Sequence, residues 1–431
     1  MIMAKNLLMT CVFVCFGQLV LSQDNASLDV FLDAAMRNAP GVKVNDNLEQ
    51  IGRIQEDIIR AQNNAFQVSA SSEILFAPYF NNNGRVIDVT TTPSPTAYGY
   101  DVGITNGGLY SAQLNVTKNL LNQASVDNLL LQNKVSNESI ALSTEEMEHT
   151  LAKNMTDAYI MAYQLQLQAD FTSQVLEDLK TRLKVLGLLV KKGIVQQSDY
   201  MLLQLDIEGK QLELKQIKDN LNNSINQMFT LAGIPVHDIE RLEAPNISRD
   251  NSSIQGEHYY ERKYTNDSLQ VKAGQLVYEN AYRPQLTVYG NTGLNAVELN
   301  TIAHKIGMSA GLRLTIPIYD GKQRKYNAQQ NKLKVENMDY VKMNSQVQLD
   351  NNLKNIDQQL TAVKENRDIL TMQIHKQEEI LEIYKGKLVQ GQVSIIDYLN
   401  VMQNYRQYVF TDLQMQTNTW LLQSQYNFIN W

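Results

Sequence analysis

The first half of the chain is written again in the second half at one fixed spacing, and this duplication constrains the fold more than any single motif. Ser111-Ala112-x-Leu114-x-Val116-Thr117 returns as Ser309-Ala310-x-Leu312-x-Leu314-Thr315, and Gln132-Asn133-Lys134 returns as Gln330-Asn331-Lys332. Gly193-x-Val195-x-x-x-Asp199-Tyr200 returns as Gly391-x-Val393-x-x-x-Asp397-Tyr398. All three pairs lie 198 residues apart, so no insertion or deletion need separate the copies between Ser111 and Tyr200. That period is too long for a solenoid and points to one duplicated supersecondary unit, hence to a pseudo-symmetric object.

Each copy opens with strands. Tyr98 to Ile104 alternates with its apolar residues on even numbers, and the same parity resumes at Tyr110, Ala112, Leu114 and Val116. The counterpart places Ile306, Met308, Ala310, Leu312, Leu314 and Ile316 on one face, against Gly307, Ser309, Gly311, Arg313 and Thr315 on the other. Period-two alternation of this kind describes a strand between two different media. Partner strands precede them at about 66–76 and about 284–291, across turn-rich links at Asn81 to Gly84 and Asn291 to Asn300. Two hairpins, and so four strands spanning about 66–76, 98–117, 284–291 and 305–316, are expected.

Long helices follow. Neither glycine nor proline occurs between Gly108 and Gly187, nor between Gly321 and Gly386. Each stretch has room for a helix of about 65 residues, on the order of 100 Å at the helical rise. Paired glycines, Gly187/Gly193 and Gly386/Gly391, close them, and a second helix then starts. In the last helix Ile395, Leu399, Met402, Val409, Leu413 and Trp420 form a coiled-coil seam. Shorter helices are expected at about Leu48–Asn64 and Asp267–Ala281. The domain plan is a first repeat over 23–234, a connector over 235–262 and a second repeat over 263–431.

Residues 1–22 read as a secretory signal, with Lys5 as its only charge and an apolar stretch too short to favour a spanning helix. The mature chain is expected to begin at Gln23. Both cysteines, Cys11 and Cys15, lie inside the signal, outside any lipid-attachment sequence, so disulfides, zinc–cysteine sites and cysteine nucleophiles are excluded together. A formal charge of −7 argues against nucleic acid as a partner. Gly307-Met308-Ser309-Ala310-Gly311 matches a nucleophile-elbow pattern, but that motif needs a sharp strand-to-helix turn, and here the alternation runs straight through. The five histidines show no metal-ligand spacing. No enzyme chemistry, metal or cofactor is expected.

Four strands with one apolar face cannot close a barrel, and an open edge in hydrocarbon leaves backbone groups unpaired. If the strands enter a membrane, several copies must share one barrel. On this pattern the chain resembles the TolC family of outer-membrane efflux and secretion channels over essentially its whole mature length. The resemblance rests on Asn280-Ala281-Tyr282-Arg283-Pro284-Gln285-Leu286, on Pro317-Ile318-Tyr319-Asp320-Gly321-Lys322 and on the two Gly-x-Val-x-x-x-Asp tips, all in the family's order. It implies a mainly α fold with membrane β, namely a homotrimer whose twelve-stranded β-barrel in outer-membrane lipid continues as a periplasmic α-barrel. It also implies a periplasmic adaptor (membrane fusion protein) and an inner-membrane transporter of the RND, ABC or MFS type as partners.

Carried over position by position, the resemblance assigns Asp397 and Asn400 to rings in the pore and Asp199 to the closing contact. Gly193, Val195, Gly391, Val393 and Ser394 become the adaptor-contact tips, with Pro317 and Gly321 the strand–helix junction. Asp397 has a plainer reading, as a carboxylate favoured near a helix N-terminus. The family's closing latch also uses an arginine and a tyrosine, and here those positions hold Val393 and Leu388. Another contact, or packing of these two side chains, must hold the tip. A coiled-coil scaffold with a soluble sheet is the alternative to a duct.

Overall fold

A computed structural model of the chain describes residues 26–90, 92–100, 110–249 and 258–431. They form two compact units. One comprises Met1–Ala39, His149–Asn251 and Lys354–Ile429, and the other Pro40–Glu148, Ser252–Leu353 and Asn430–Trp431. The expected signal and residues 101–109 lie outside the described residues.

In chain order the elements are α1 (Leu28–Asn38), α2 (Pro40–Asn64), β1 (Gln67–Ile74), β2 (Tyr79–Asn82), β3 (Arg85–Asp88), β4 (Tyr110–Asn119), α3 (Gln123–Lys191) and α4 (Gln197–Ala232). They continue with α5 (Tyr259–Glu279), β5 (Gln285–Ala296), β6 (Ile306–Thr315), α6 (Gln323–Val389) and α7 (Ile395–Ile429). The two long helices have 69 and 67 residues, as the glycine-free stretches require. No helix among the described residues is long and apolar enough to cross a membrane.

Several boundaries differ from expectation. The helix foreseen from Leu48 starts at Pro40, which supplies the fixed φ of a first helical turn, and the separate α1 precedes it. Likewise α5 begins at Tyr259, inside the supposed connector, because Tyr259 is a core residue: fully buried, it stacks on Trp431 at 4.2 Å between ring centres. The second expected link, Asn291 to Asn300, is shorter, since β5 runs on to Ala296. Its asparagines at 291 and 295 lie on the polar face, so they do not interrupt the strand. Tyr98 and Tyr100 are not in β4. Tyr98 bridges Phe80, and Tyr79 donates a hydrogen bond to the Tyr100 carbonyl at 2.5 Å, so this segment belongs with the extra β2–β3 ribbon.

In the strand-bearing unit, asparagines bind the helices to one another. Asn133 donates to the Gly52 carbonyl at 2.8 Å, Asn128 to Leu276 at 3.0 Å and Asn266 to Val135 at 3.3 Å. Gly52 lets α2 approach α3 so closely that an added Cβ would meet Asn137 Oδ1 at 1.8 Å.

The other unit has two apolar clusters. Phe31, Ala35, Met155, Tyr159, Phe229 and Leu242 form one. Leu176, Leu179, Leu186, Leu203, Leu381, Leu388, Ile395 and Tyr398 belong to the other, and it unites the α3–α4 and α6–α7 hairpins.

Candidate functional site

The sheet is the first part of the site. Its order is β1-β4-β5-β6, antiparallel throughout. The register aligns Val68, Val116, Gly290 and Ala310 in one row, and Ala70, Leu114, Thr292 and Met308 in the next. Because side chains alternate along a strand, these rows build one continuous, largely apolar face. Met308 is 87% exposed and Ile306 76%, although a water-soluble fold would cover such side chains.

The opposite face carries Ser69, Ser71, Gln113, Asn115, Thr287, Asn291, Ser309 and Thr315. These residues bond across the strands: Asn115 to Ser71 at 2.8 Å, Ser309 to Asn291 at 2.7 Å and Thr287 to Asn119 at 2.9 Å. Ser309 is therefore a mid-strand rung of a polar ladder, far from the elbow geometry a nucleophile needs.

Both sheet edges lack partners among the described residues, and each continues into a helix with an uncovered seam. The helix before β1, α2, exposes Val44, Leu48, Ile51 and Ile58 at heptad spacing, and the helix after β6, α6, exposes Tyr326, Leu333, Tyr340 and Val347 seven residues apart. Such a/d-type repeats are coiled-coil surfaces awaiting a partner helix. Sequence reasoning missed both seams, though the 326–347 repeat is legible in the residues themselves.

At the junction after β6, Thr315 makes the last ladder pair and Pro317 follows. Gly321 and Lys322 both take positive φ, 69° and 70°, which turns the chain so that Asp320 accepts from the backbone N–H groups of Lys322 and Arg324 at 2.9 and 2.7 Å. The Tyr282 hydroxyl also bonds Asp320, and these contacts hold its carboxyl below the usual range.

The hairpin tips are built twice by one device. Gly193 (φ 73°) closes α3: its N–H bonds Val190 O at 2.9 Å, and the Ile194 N–H bonds Leu189 O at 3.0 Å. Gly391 (φ 69°) closes α6 with matching bonds to Leu388 and Lys387. This is the left-handed C-terminal cap in which glycine avoids a Cβ penalty. The two tips meet, since a Cβ on Gly391 would lie 3.3 Å from Ile194.

Past the second tip, Ser394 caps α7. Its Oγ accepts the Asp397 N–H at 3.1 Å and its O–H donates to the Asp397 carboxylate at 2.7 Å. Asp397 and Asn400 are both exposed, one helical turn apart. Asp199 stands at the equivalent place in α4, half-buried, without a side-chain cap from Gln196. Val195 and Val393 pack against the apolar cluster, and Leu388 is buried in it. The two latch substitutions are thus core residues of this unit.

Polar ties that sequence reasoning did not find join the hairpins. Fully buried Tyr398 donates to Asp178 at 3.0 Å, and the same carboxylate faces Arg182 at 3.2 Å and Lys385 at 3.8 Å. Burial, then the charge of Asp178 and the hydrogen bond to it, push the Tyr398 phenol well above the usual tyrosine range. Arg406, only 3% exposed, pairs with Glu213 at 2.7 Å and so links α7 to α4. The signal was available in part, because Tyr398 stands in the repeated tip motif.

This combination of duplicated strands, two-faced sheet and glycine-capped helical hairpins is the fold of TolC-type channels. The chain matches crystal structures of CusC with a TM-score of 0.71 and 10% identity, covering 95% of each chain. It matches the outer membrane protein VceC from Vibrio cholerae with a TM-score of 0.70 and 11% identity, over 94% of this chain and 95% of that one. For the Campylobacter jejuni CmeC outer membrane channel the values are 0.69 and 15%, over 94% and 85%. No family profile and no curated protein sequence matches the chain.

Proposed function

We propose that this protein is a passive exit duct of the bacterial outer membrane, closed by three copies into a twelve-stranded barrel and a helical tube. The observation that carries it is the sheet, with one apolar face, one polar face and two edges unpaired among the described residues. In hydrocarbon the apolar face needs lipid, the polar face needs water and the edges need other strands. Four strands per chain enclose no lumen, whereas three chains give a barrel of sufficient girth. Heterologous joining of the β6–α6 side to the β1–α2 side of the next copy satisfies edges and seams together, and such contacts close a ring.

A duct of this kind hydrolyses nothing, so transport through it takes its energy from a pump elsewhere. A periplasmic adaptor reaching the tips, and an inner-membrane RND, ABC or MFS transporter beyond it, fit that need in efflux or type I secretion. Asp397 and Asn400, exposed on one face of α7, supply the pore rings. Asp199 contributes to closure, and Gly193, Val195, Gly391, Val393 and Ser394 to the adaptor-facing tips. The buried Tyr398–Asp178 tie substitutes for the missing family latch. Planar-bilayer recordings of the detergent-purified protein test the reading, together with its mass in detergent. Conducting trimers are expected. A soluble, non-conducting chain would favour the scaffold alternative.

A further inference from the structure

One cation stands on the polar face of the sheet, near the end that meets the helices. That face carries serine, threonine, asparagine, glutamine and glycine with Tyr289, and its only ionic side chains among the described strand residues are Glu73 and Arg313. Arg313 is exposed and lies next but one to Thr315, where β6 ends. Its guanidinium sits over the ring of Tyr289, with Cζ 5.3 Å from the ring centre. Gly311 makes that arrangement possible. It pairs with Tyr289, and a Cβ there would meet the tyrosine hydroxyl at 2.5 Å, so the missing side chain lets the ring lie across β6 toward Arg313.

The first copy builds the equivalent place differently. Asn115, 198 residues before Arg313, is a rung of the polar ladder that donates to Ser71, and Gln113 stands where Gly311 does. Arg313 joins no such rung. Thr287, its partner in the register, donates to Asn119, and Arg313 forms no ion pair among the described residues. Glu73 cannot reach it: Glu73 pairs with Ser111, the Arg313 row meets β4 at Asn119, and eight residues of β4, about 27 Å, separate the two rows. Edge-to-edge joining of copies leaves this unchanged, because Gln67 and Thr315 both lie at the helix ends of their strands and Glu73 stays at the other end. The acids of the nearby junction are engaged, Glu279 by Arg324 and Asp320 by the backbone N–H groups of Lys322 and Arg324.

We infer that Arg313, propped on Tyr289, is an oxyanion-binding site of the duct wall, repeated in each copy, which takes the phosphate or carboxylate group of a solute in transit. The inference rests on the duct reading and deepens it by naming a cargo chemistry. A guanidinium presents a fork that matches an oxyanion with two parallel hydrogen bonds. The negative face of the Tyr289 ring holds the cation without using up those donors. A ring of arginines in a passage favours anions, whereas the Asp397 ring proposed at the tip favours cations, so the two act with opposite sign.

The test uses the full chain in planar bilayers and in detergent, with pyrophosphate as the probe. Pyrophosphate added on the barrel side should block potassium chloride conductance. Arg313→Gln should raise the half-blocking concentration on the order of tenfold, the loss expected for one charge-assisted contact. Arg313→Lys keeps the charge and loses the fork, so it should recover only part of the block. In asymmetric salt Arg313→Gln should strengthen cation preference, the reverse of Asp397→Asn. Equilibrium dialysis of labelled pyrophosphate against the detergent-solubilised protein reads the same site without conduction, and Arg313→Gln should remove that binding. Conducting channels whose block is unchanged by Arg313→Gln overturn the site, and full recovery in Arg313→Lys overturns the forked contact. Binding that Arg313→Gln removes from a chain that does not conduct overturns the duct instead and leaves the site standing. A chain that neither conducts nor binds overturns both.

Discussion

The two faces of the sheet can be separated by one substitution placed on adjacent residues. Ala310 and Ser309 are neighbours in the middle of β6, paired with Gly290 and Asn291. Ala310 belongs to the apolar face, so on the duct reading Ala310→Arg sets a guanidinium in lipid near mid-strand. Such a charge at the bilayer midplane costs about 2–4 kcal/mol per chain, and three copies make about 6–12 kcal/mol per barrel. Ser309→Arg puts the same side chain among water-facing Ser, Asn and Thr residues. There it forfeits chiefly the 2.7 Å bond to Asn291, worth about 0.5–1.5 kcal/mol. The assay is the temperature at which detergent-resistant trimers dissociate on a gel, alongside the amount recovered in the outer-membrane fraction. Ala310→Arg should lower both steeply and Ser309→Arg little. Equal losses at the two positions, or the reverse order, would refute the assignment of faces and with it the membrane placement of the sheet.

Four further outcomes are expected. Asp397→Asn should weaken cation preference, read from the reversal potential in asymmetric salt, whereas Ser394→Ala should cost roughly 1 kcal/mol of helix stability and leave selectivity alone. Asp199→Ala should raise resting conductance without changing selectivity, and wild-type conductance in that variant would remove Asp199 from closure. Tyr398→Phe removes a buried bond to a charged group worth about 1.5–3 kcal/mol, so resting conductance should rise. Because the tied phenol titrates well above a free one, the stability the tie contributes is full below about pH 10, and the tie itself is lost only as pH rises through that raised value. Wild-type resting conductance should therefore stay low up to about pH 10, while Tyr398→Phe should raise it at every pH in that range. Ile51→Asp, on the α2 seam, should dissociate trimers in detergent, read by light scattering, at a cost of about 1.5–3 kcal/mol per chain for the lost burial, whereas Gln50→Asp should not.

Much of the architecture was legible because it rests on local rules. Alternation at 306–316 and the lack of glycine from 322 to 385 act within one segment, so their periods survive without tertiary knowledge. The β5 boundary was misread because asparagine suggests a turn in isolation, and only the register shows Asn291 opposite Ser309 on the wet face. Tyr98 misled for the opposite reason: its parity matched β4, but its backbone partner is Phe80. The tip motifs located Gly193 and Gly391 correctly because a left-handed cap is a single-residue demand. Asp178 and Arg406 could not be found that way. Their roles depend on residues 193 to 220 positions away in the chain, and no spacing rule reaches that far.

The two copies of the tip motif differ in depth. Tyr398 is fully buried and tied to Asp178, whereas its counterpart Tyr200 lies half-buried against Gly187. On the trimeric reading proposed above, three such chains would bring six hairpins of two alternating kinds to one rim. A blunt contact would then meet six equal sites, and a contact that tells a buried tyrosine from a half-buried one would meet three.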